Sequence, residues 1–429
     1  MPRPSLSGRP RSTYVISGLA FAMLASLTIT NANAVPSPSP TAANTSCAPA
    51  AGVTPTTVNW AMFVPKTGPS APTFVGTEAA VRLRVAQENA KGGVNGRKIV
   101  LTAYDDQASA STQSVAATKA IEQDNNFGIV LSSSTEAMMP YLKAKNIPVI
   151  GFNAVASSTD RNVIGALGVI GSPYYTTADY ERAKAVGASK YAVLTHVSAS
   201  SGVVGNIFAK IAPVGGMGMV LRIADIPVGT HDATSTALRV RASGADAVWT
   251  GMTVDGGISI AQALKAQGVR DQIKALVISA IVDPVVVDKS NGALEGVIGT
   301  TVGNIPLTLT GVPAVRTYVN GMKAAGLNPY ATIAPIGYIE ADLMIQGLKA
   351  AGKCPTRDGF IDAIRAGKVK DFTGGGLIPE KINFTPGLLP NGTPAKCKWY
   401  QTVTNGKLVP DKAATCGKLV DSNTLQVMG

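Results

Sequence analysis

"FVGTEAAVRLRVAQENAKGGVNGRKIVLTAYDD", residues 74–106, decides how the rest of the chain is read. Its first half carries apolar residues at helical spacing, and Gly92 and Gly93 supply the stop that a helix C-terminus favours. "RKIVLTAYDD" (97–106) then reads as a strand ending in two carboxylates. Asp105 and Asp106 are adjacent, so on a strand they face opposite sides and cannot act on each other as an acid–base couple. One is expected to cap the next helix or bind a surface cation, the other to face a cleft.

The rhythm extends in both directions. "TTVNWAMFV" (56–64) reads as a strand, "STQSVAATKAIEQD" (111–124) as a helix, "FGIVL" (127–131) as a strand, "EAMMPYLKAKN" (136–146) as a helix and "IPVIGF" (147–152) as a strand. Alternation of this kind calls for a parallel sheet with helices on both faces. It restarts near residue 173 with "KYAVLTHV" (190–197), "MGMVLRIADIP" (217–227), "DAVWTGM" (246–252) and "ALVISA" (275–280) as strands between helices. Residues after about 300 return to helices, and Asn405-Gly406 marks a hairpin near the end. The expected fold class is therefore α/β, with two doubly wound parallel-sheet lobes.

Residues 1–34 read as an export signal: Arg3, Arg9 and Arg11, an apolar run at 15–29, and "ANA" at 32–34. Residues 35–51 read as a Pro/Ser/Ala linker. The net charge of +12 falls to +9 without those arginines, and the basic residues are scattered, which argues against a nucleic-acid partner. Cys47, Cys354, Cys397 and Cys416 all lie beyond the signal, so two disulfides are expected, favouring Cys354–Cys397 and Cys47–Cys416. Their spacing argues against a metal site.

Chemistry concentrates in "LSSSTEAMMP" (131–140), which follows a strand. A serine nucleophile needs a histidine base, and the chain has His196 and His231 alone. Ser134 with His196 is the one hydrolase pairing worth testing; otherwise His196 is an ordinary strand-end residue. No Walker A, GxGxxG or HExxH context is present, so no cofactor is expected. Ligands of doubly wound sheets bind outside the carboxyl ends of strands. Ser132, Ser133, Ser134 and Thr135 lie at such an end and are expected to open a helix, whose amides suit a carboxylate. The simpler alternative is a helix N-cap. Similar strand ends recur at Phe152-Asn153-Ala154 and Gly251-Met252-Thr253. Trp249 lies just before the latter and is expected either to report closure or to sit in the core.

Residues 67–106, with "SSST" (132–135), "IPVIGFNAVAS" (147–157) and "GADAVWTGMTVDGGISIAQALKAQG" (244–268), resemble the branched-chain amino-acid-binding proteins, the type I periplasmic solute receptors of ABC transporters. The likeness runs from about 52 to 410. It implies two lobes joined by three crossovers, the first holding 52–170 and 303–390, the second 171–302 and 391–425. It implies a monomeric, exported, non-enzymatic protein that delivers a small ligand to a membrane permease. It implies that Ser132 grips the ligand, with Ser133 and Thr135 nearby, that Asn153 and Val155 make further contacts, and that Phe74, Ala154, Met252 and Thr253 shape the rest. Three positions depart from the amino-acid binders. Thr253 replaces a covering tyrosine, Ala280 replaces a carboxylate that pairs with the ligand ammonium, and Thr73, beside Phe74, replaces an aromatic. A buried ammonium without an anion is costly, so the expected ligand is a carboxylate or amide unless Asp255 or Asp283 compensates. The alternatives are a ligand sensor for a membrane receptor and an envelope serine hydrolase.

Overall fold

The computed structural model describes residues 47–68, 70–151, 156–167, 172–197, 199–279, 281–384 and 395–428. The first sheet begins with β1 (Thr57–Val64), α1 (Thr77–Ala90) and β2 (Lys98–Asp105). α1 stops where expected: Gly92 and Gly93 take φ of 98° and 74°. A Cβ on Gly93 would lie 2.0 Å from the Arg97 carbonyl oxygen, so only glycine closes this turn. α2 (Ala110–Thr118), β3 (Gly128–Leu131), α3 (Met139–Ala144), β4 (Val149–Gly151) and β5 (Val163–Ile164) follow. The strand order is β2-β1-β3-β4-β5, with parallel pairing throughout.

The chain continues through β6 (Tyr174–Thr176), α4 (Ala178–Ala185), β7 (Lys190–His196), α5 (Ala199–Ile211), β8 (Gly218–Ile226), α6 (Thr234–Ser243), β9 (Ala247–Gly251), α7 (Val254–Ala266), β10 (Ala275–Ile278), α8 (Pro284–Lys289) and β11 (Val297–Thr300). Three helices, α9 (Pro313–Ala324), α10 (Ala334–Ala351) and α11 (Arg357–Arg365), then pack with the first sheet. The chain ends in β12 (Cys397–Lys398), β13 (Tyr400–Thr404), β14 (Lys407–Pro410), β15 (Thr415–Cys416), β16 (Leu419–Asp421) and β17 (Val427–Met428). The second sheet runs β14-β13-β11-β10-β9-β7-β8; its strands are parallel except the terminal β13–β14 hairpin, while β6 pairs with β16 in a small separate sheet. Each large sheet carries apolar clusters on both faces, which is why its strands read as continuous apolar runs rather than alternating ones.

Two expectations are corrected. The serine segment does not open a helix: α3 begins only at Met139, with Pro140 in its first turn, where the missing N–H of proline costs nothing. The disulfides are Cys47–Cys354 and Cys397–Cys416. Cys47 lies by the end of α10, where Arg97 also donates to the carbonyls of Thr54 and Lys353. Cys397 and Cys416 face each other in the antiparallel β12–β15 pair, so neither can reach the first pair.

α10 is the axis of the first lobe; fourteen of its 18 residues are buried. It buries two carboxylates in different ways. Asp342 accepts from Arg84 Nε at 2.8 Å and from the Gly375 N–H at 2.8 Å, and Arg84 also binds Glu88, which pairs with Lys349. Burial alone would raise the Glu88 carboxyl, but Lys349 and Arg84 hold it below its ordinary value. Glu340, two residues before Asp342, accepts the Ala166 N–H at 3.2 Å, just past β5. Burial pushes its carboxyl up to about 8 against the weaker pull of that amide. The native state therefore keeps a proton that the unfolded chain has already released above about pH 4.5. The Glu340 contribution to stability is full below about pH 4.5 and is lost as pH rises through about 8. Unfolding by urea at several pH values checks this: Glu340→Gln should flatten the decline between pH 5 and 8, and an unchanged slope would contradict it.

Candidate functional site

The candidate residues of the first lobe lie on loops at the carboxyl ends of β1, β2 and β3. The Asp105 carboxylate accepts the N–H groups of Lys66 (2.9 Å) and Gln107 (3.0 Å) and the Thr67 hydroxyl (2.6 Å). Burial opposes its charge, but these donors hold the carboxyl below its ordinary value. It shapes the 66–68 turn; the cap of α2 is Ser109, which accepts the Thr112 N–H. Asp106 is fully buried and accepts from Gln113 Nε2 at 2.8 Å. Gln113 also donates to the Thr135 carbonyl at 2.8 Å and accepts the Met138 N–H at 3.2 Å. The β2 and β3 loops are thus locked together through one buried amide side chain. Glu136 extends the lacing by accepting the Ser157 N–H at 3.0 Å and the Ser157 hydroxyl.

Within this frame the Ser132 N–H donates to the Phe63 carbonyl at 2.9 Å, continuing the sheet by one residue. Ser132 and Ser133 are buried; Ser134 is exposed and its hydroxyl lies 3.3 Å from that of Ser70. The structure therefore brings Ser132–Thr135 together with Ser70, beside the 66–68 turn. Phe74 is buried and packs in the apolar core of the first lobe. Asn153, Ala154, Val155 and Ala280 lie outside the described residues.

In the second lobe, Met252 is buried and Thr253 exposed at the carboxyl end of β9. Thr253 caps α7, its Oγ1 accepting the Gly256 N–H at 3.3 Å. His196 ends β7, and its Nε2 accepts the Thr253 N–H at 3.1 Å. Burial lowers the proton affinity of the ring, and His231 adds to this. The Ser134–His196 pairing is not formed: His196 bonds Thr253 and Ile226 of its own lobe, and Ser134 meets Ser70 of the other. Trp249 is a core residue, stacked on Phe208 with ring centroids 4.4 Å apart.

Sequence reasoning missed a small, water-sized recess where the lobes meet. Val282 lines it from the second lobe, Tyr330 and Pro335 from the first, and Thr301 and Asn304 from the connecting segment. None of the described residues expected to bind lines it, although Val282 lies two residues beyond Ala280. Beside it, Asn328 Nδ2 donates to Asp283 Oδ2 at 2.6 Å across the lobes, and Asp283 Oδ1 caps α8 through the Val285 N–H. Burial and the neighbouring Asp283 raise the Tyr330 phenol. The available signal was the Asn328-Pro329-Tyr330 turn, whose composition alone marks a loop.

The sequence profile of the family described as periplasmic binding protein matches residues 57–406. The chain belongs to that family. Its members are solute-binding proteins, not enzymes. Among solved structures, a fatty acid ABC transporter substrate-binding protein from Thermomonospora curvata shares 18% identity at a TM-score of 0.68, covering 89% of this chain and 97% of its own. A solute-binding protein of an ABC transporter from Rhodopseudomonas palustris HaA2, in complex with p-hydroxybenzoic acid, shares 17% at 0.68, covering 84% and 97%. A leucine-binding protein from Thermotoga maritima MSB8 shares 19% at 0.65, covering 83% and 98%. At these identities the likeness shows the fold. A comparison with curated proteins finds no match. Among the described residues no helix is long and apolar enough to cross a membrane.

The lacing of the serine loop is testable. Gln113→Leu strips one donor from Asp106, leaving the Ala108 N–H, and the tie from Thr135, and should cost about 1–3 kcal/mol of stability. Amide exchange should quicken across 132–138; unchanged exchange there would show that the loop stands without Gln113.

Proposed function

We propose that this periplasmic binding protein family member is the extracytoplasmic receptor of an ABC importer. It captures a small organic ligand with a carboxylate or carbonyl end and an apolar body in the cleft between its lobes, and its closed form is what the membrane permease reads. The receptor works as an exported monomer, without cofactor or nucleic acid.

The observation that carries this reading is the disposition of the acids. Asp283, a candidate replacement for the carboxylate that Ala280 lacks, already accepts from Val285 and Asn328. Glu136 accepts from Ala156 and Ser157. Asp255 is exposed in the first turn of α7. A ligand ammonium enclosed here would have a poor partner, at a cost of several kcal/mol. The loops that follow β1, β7 and β8 instead expose Val75, Val197 and Val228, each at least half exposed. Hydroxyls at Ser132–Thr135 provide the polar end; the valines provide apolar surface. Two structural relatives, one in complex with p-hydroxybenzoic acid and one a fatty acid ABC transporter substrate-binding protein, agree with that chemistry.

Thermal unfolding of the mature chain with benzoate, 4-hydroxybenzoate, octanoate and short amides tests the reading. At a hundredfold excess over the dissociation constant a true ligand adds about 2.7 kcal/mol, a shift of a few degrees. Ser132→Ala should weaken that ligand by about tenfold or more, the loss of one hydrogen bond to a charged group. Full affinity in Ser132→Ala would remove the serine loop from the site.

A further inference from the structure

The two histidines of the chain, far apart in sequence, sit together in the second lobe with ring centroids 6.4 Å apart. The hydrogen bonds of His196 fix its tautomer. Nδ1 lies 3.3 Å from the Ile226 carbonyl, which only accepts, so Nδ1 carries the proton. Nε2 is then the acceptor for the Thr253 N–H at 3.1 Å, and it lies 3.1 Å from the Thr253 hydroxyl. The imidazole is pressed against the start of α7: a Cβ on Gly256 would fall 2.6 Å from its Cε1 and 2.8 Å from Nε2. Glycine at 256 is therefore a requirement of the close approach. The amino end of this 13-residue helix carries partial positive charge and opposes a second proton on the ring.

The charged and titratable groups nearest on the surrounding elements are His231 and Asp232 on the loop after β8, Arg222 and Asp225 on β8, and Asp255 on α7; Arg222 is turned to the Val193 and Ile223 carbonyls. The three carboxylates are exposed, and the ring is bonded to Ile226 and Thr253 instead. Burial, with a smaller push from His231, favours the neutral ring and outweighs the Ile226 and Pro227 backbone, which favours the charged one.

We infer that neutral His196 is a positioning residue that holds the Met252-Thr253 loop, and that a proton taken from solvent onto Nε2 removes the acceptor for the Thr253 N–H and releases the loop. The consequence for binding rests on the proposed role of Thr253 in the ligand site; the positioning itself does not.

Amide and imidazole ¹⁵N NMR of the ligand-free mature protein between pH 8 and 5 tests it. The Thr253 amide and His196 Nε2 should titrate together, with one midpoint below 6.5. His196→Gln, whose side-chain carbonyl accepts at any pH, should abolish the Thr253 titration. His231→Asn removes the neighbouring ring and should move the shared midpoint upward; this variant carries the test where His196→Gln does not fold. With benzoate and octanoate as probes, the wild-type dissociation constant should rise about tenfold per pH unit below the midpoint, and that of His196→Gln should stay flat. A Thr253 amide that ignores the His196 titration, or parallel loss of affinity in wild type and His196→Gln, overturns the inference. Should neither probe bind at any pH while the Thr253 titration persists, the carboxylate reading fails and the positioning role stands.

Discussion

Both large sheets have helices on both faces, and this constraint organises the molecule. A parallel strand covered above and below has only its ends for polar chemistry. Trp60, Phe63, Val130 and Leu131 in the first sheet, and Val193, Val248 and Leu276 in the second, are buried without a polar task. The residues with hydroxyls, amides and imidazole to offer, Ser132–Thr135, Met252-Thr253 and His196, come immediately after them or at their last position. A binding site on this scaffold is therefore made of loops, and its precision depends on what holds those loops.

What holds them is a set of polar ties, the Asp106–Gln113 one fully buried. Asp106 and Gln113 lock the β2 and β3 loops, Glu136 joins the β3 loop to Ser157, and His196 joins the end of β7 to the cap of α7. Each tie is satisfied internally, which is the condition under which buried polar groups rigidify rather than destabilise. The Asn328–Asp283 bond is of another kind, because it spans the two lobes at the edge of the recess lined by Val282 and Tyr330. It commits the acid that could otherwise have met an ammonium.

Much of this was legible in the chain before any coordinates. The 77–90 helix was readable because apolar spacing and the Gly92-Gly93 stop agree. The strands of the first sheet were readable because they are apolar runs between turn residues. β11 was not, since four residues beginning just after Gly296 carry too little periodicity. The start of α3 depends on Pro140 and on Gln113, 25 positions before Met138, so local spacing misplaced it. Disulfide partners are a tertiary property, and the favoured pairing joined cysteines of different lobes. Phe74, expected to shape the ligand site, packs in the core, and Tyr330, whose setting reads as a turn, lines the recess. In each case burial, which a sequence does not state, made the difference.

The proposed site takes a carboxylate without an accompanying ammonium. Isothermal titration of the mature protein with 4-methylpentanoate and with leucine isolates that one group, because the two molecules share the carboxylate and the branched side chain. The account predicts that 4-methylpentanoate binds at least about tenfold more tightly, a difference of about 1.4 kcal/mol. Tighter binding of leucine would contradict it and show that an acid of this chain meets the ammonium after all.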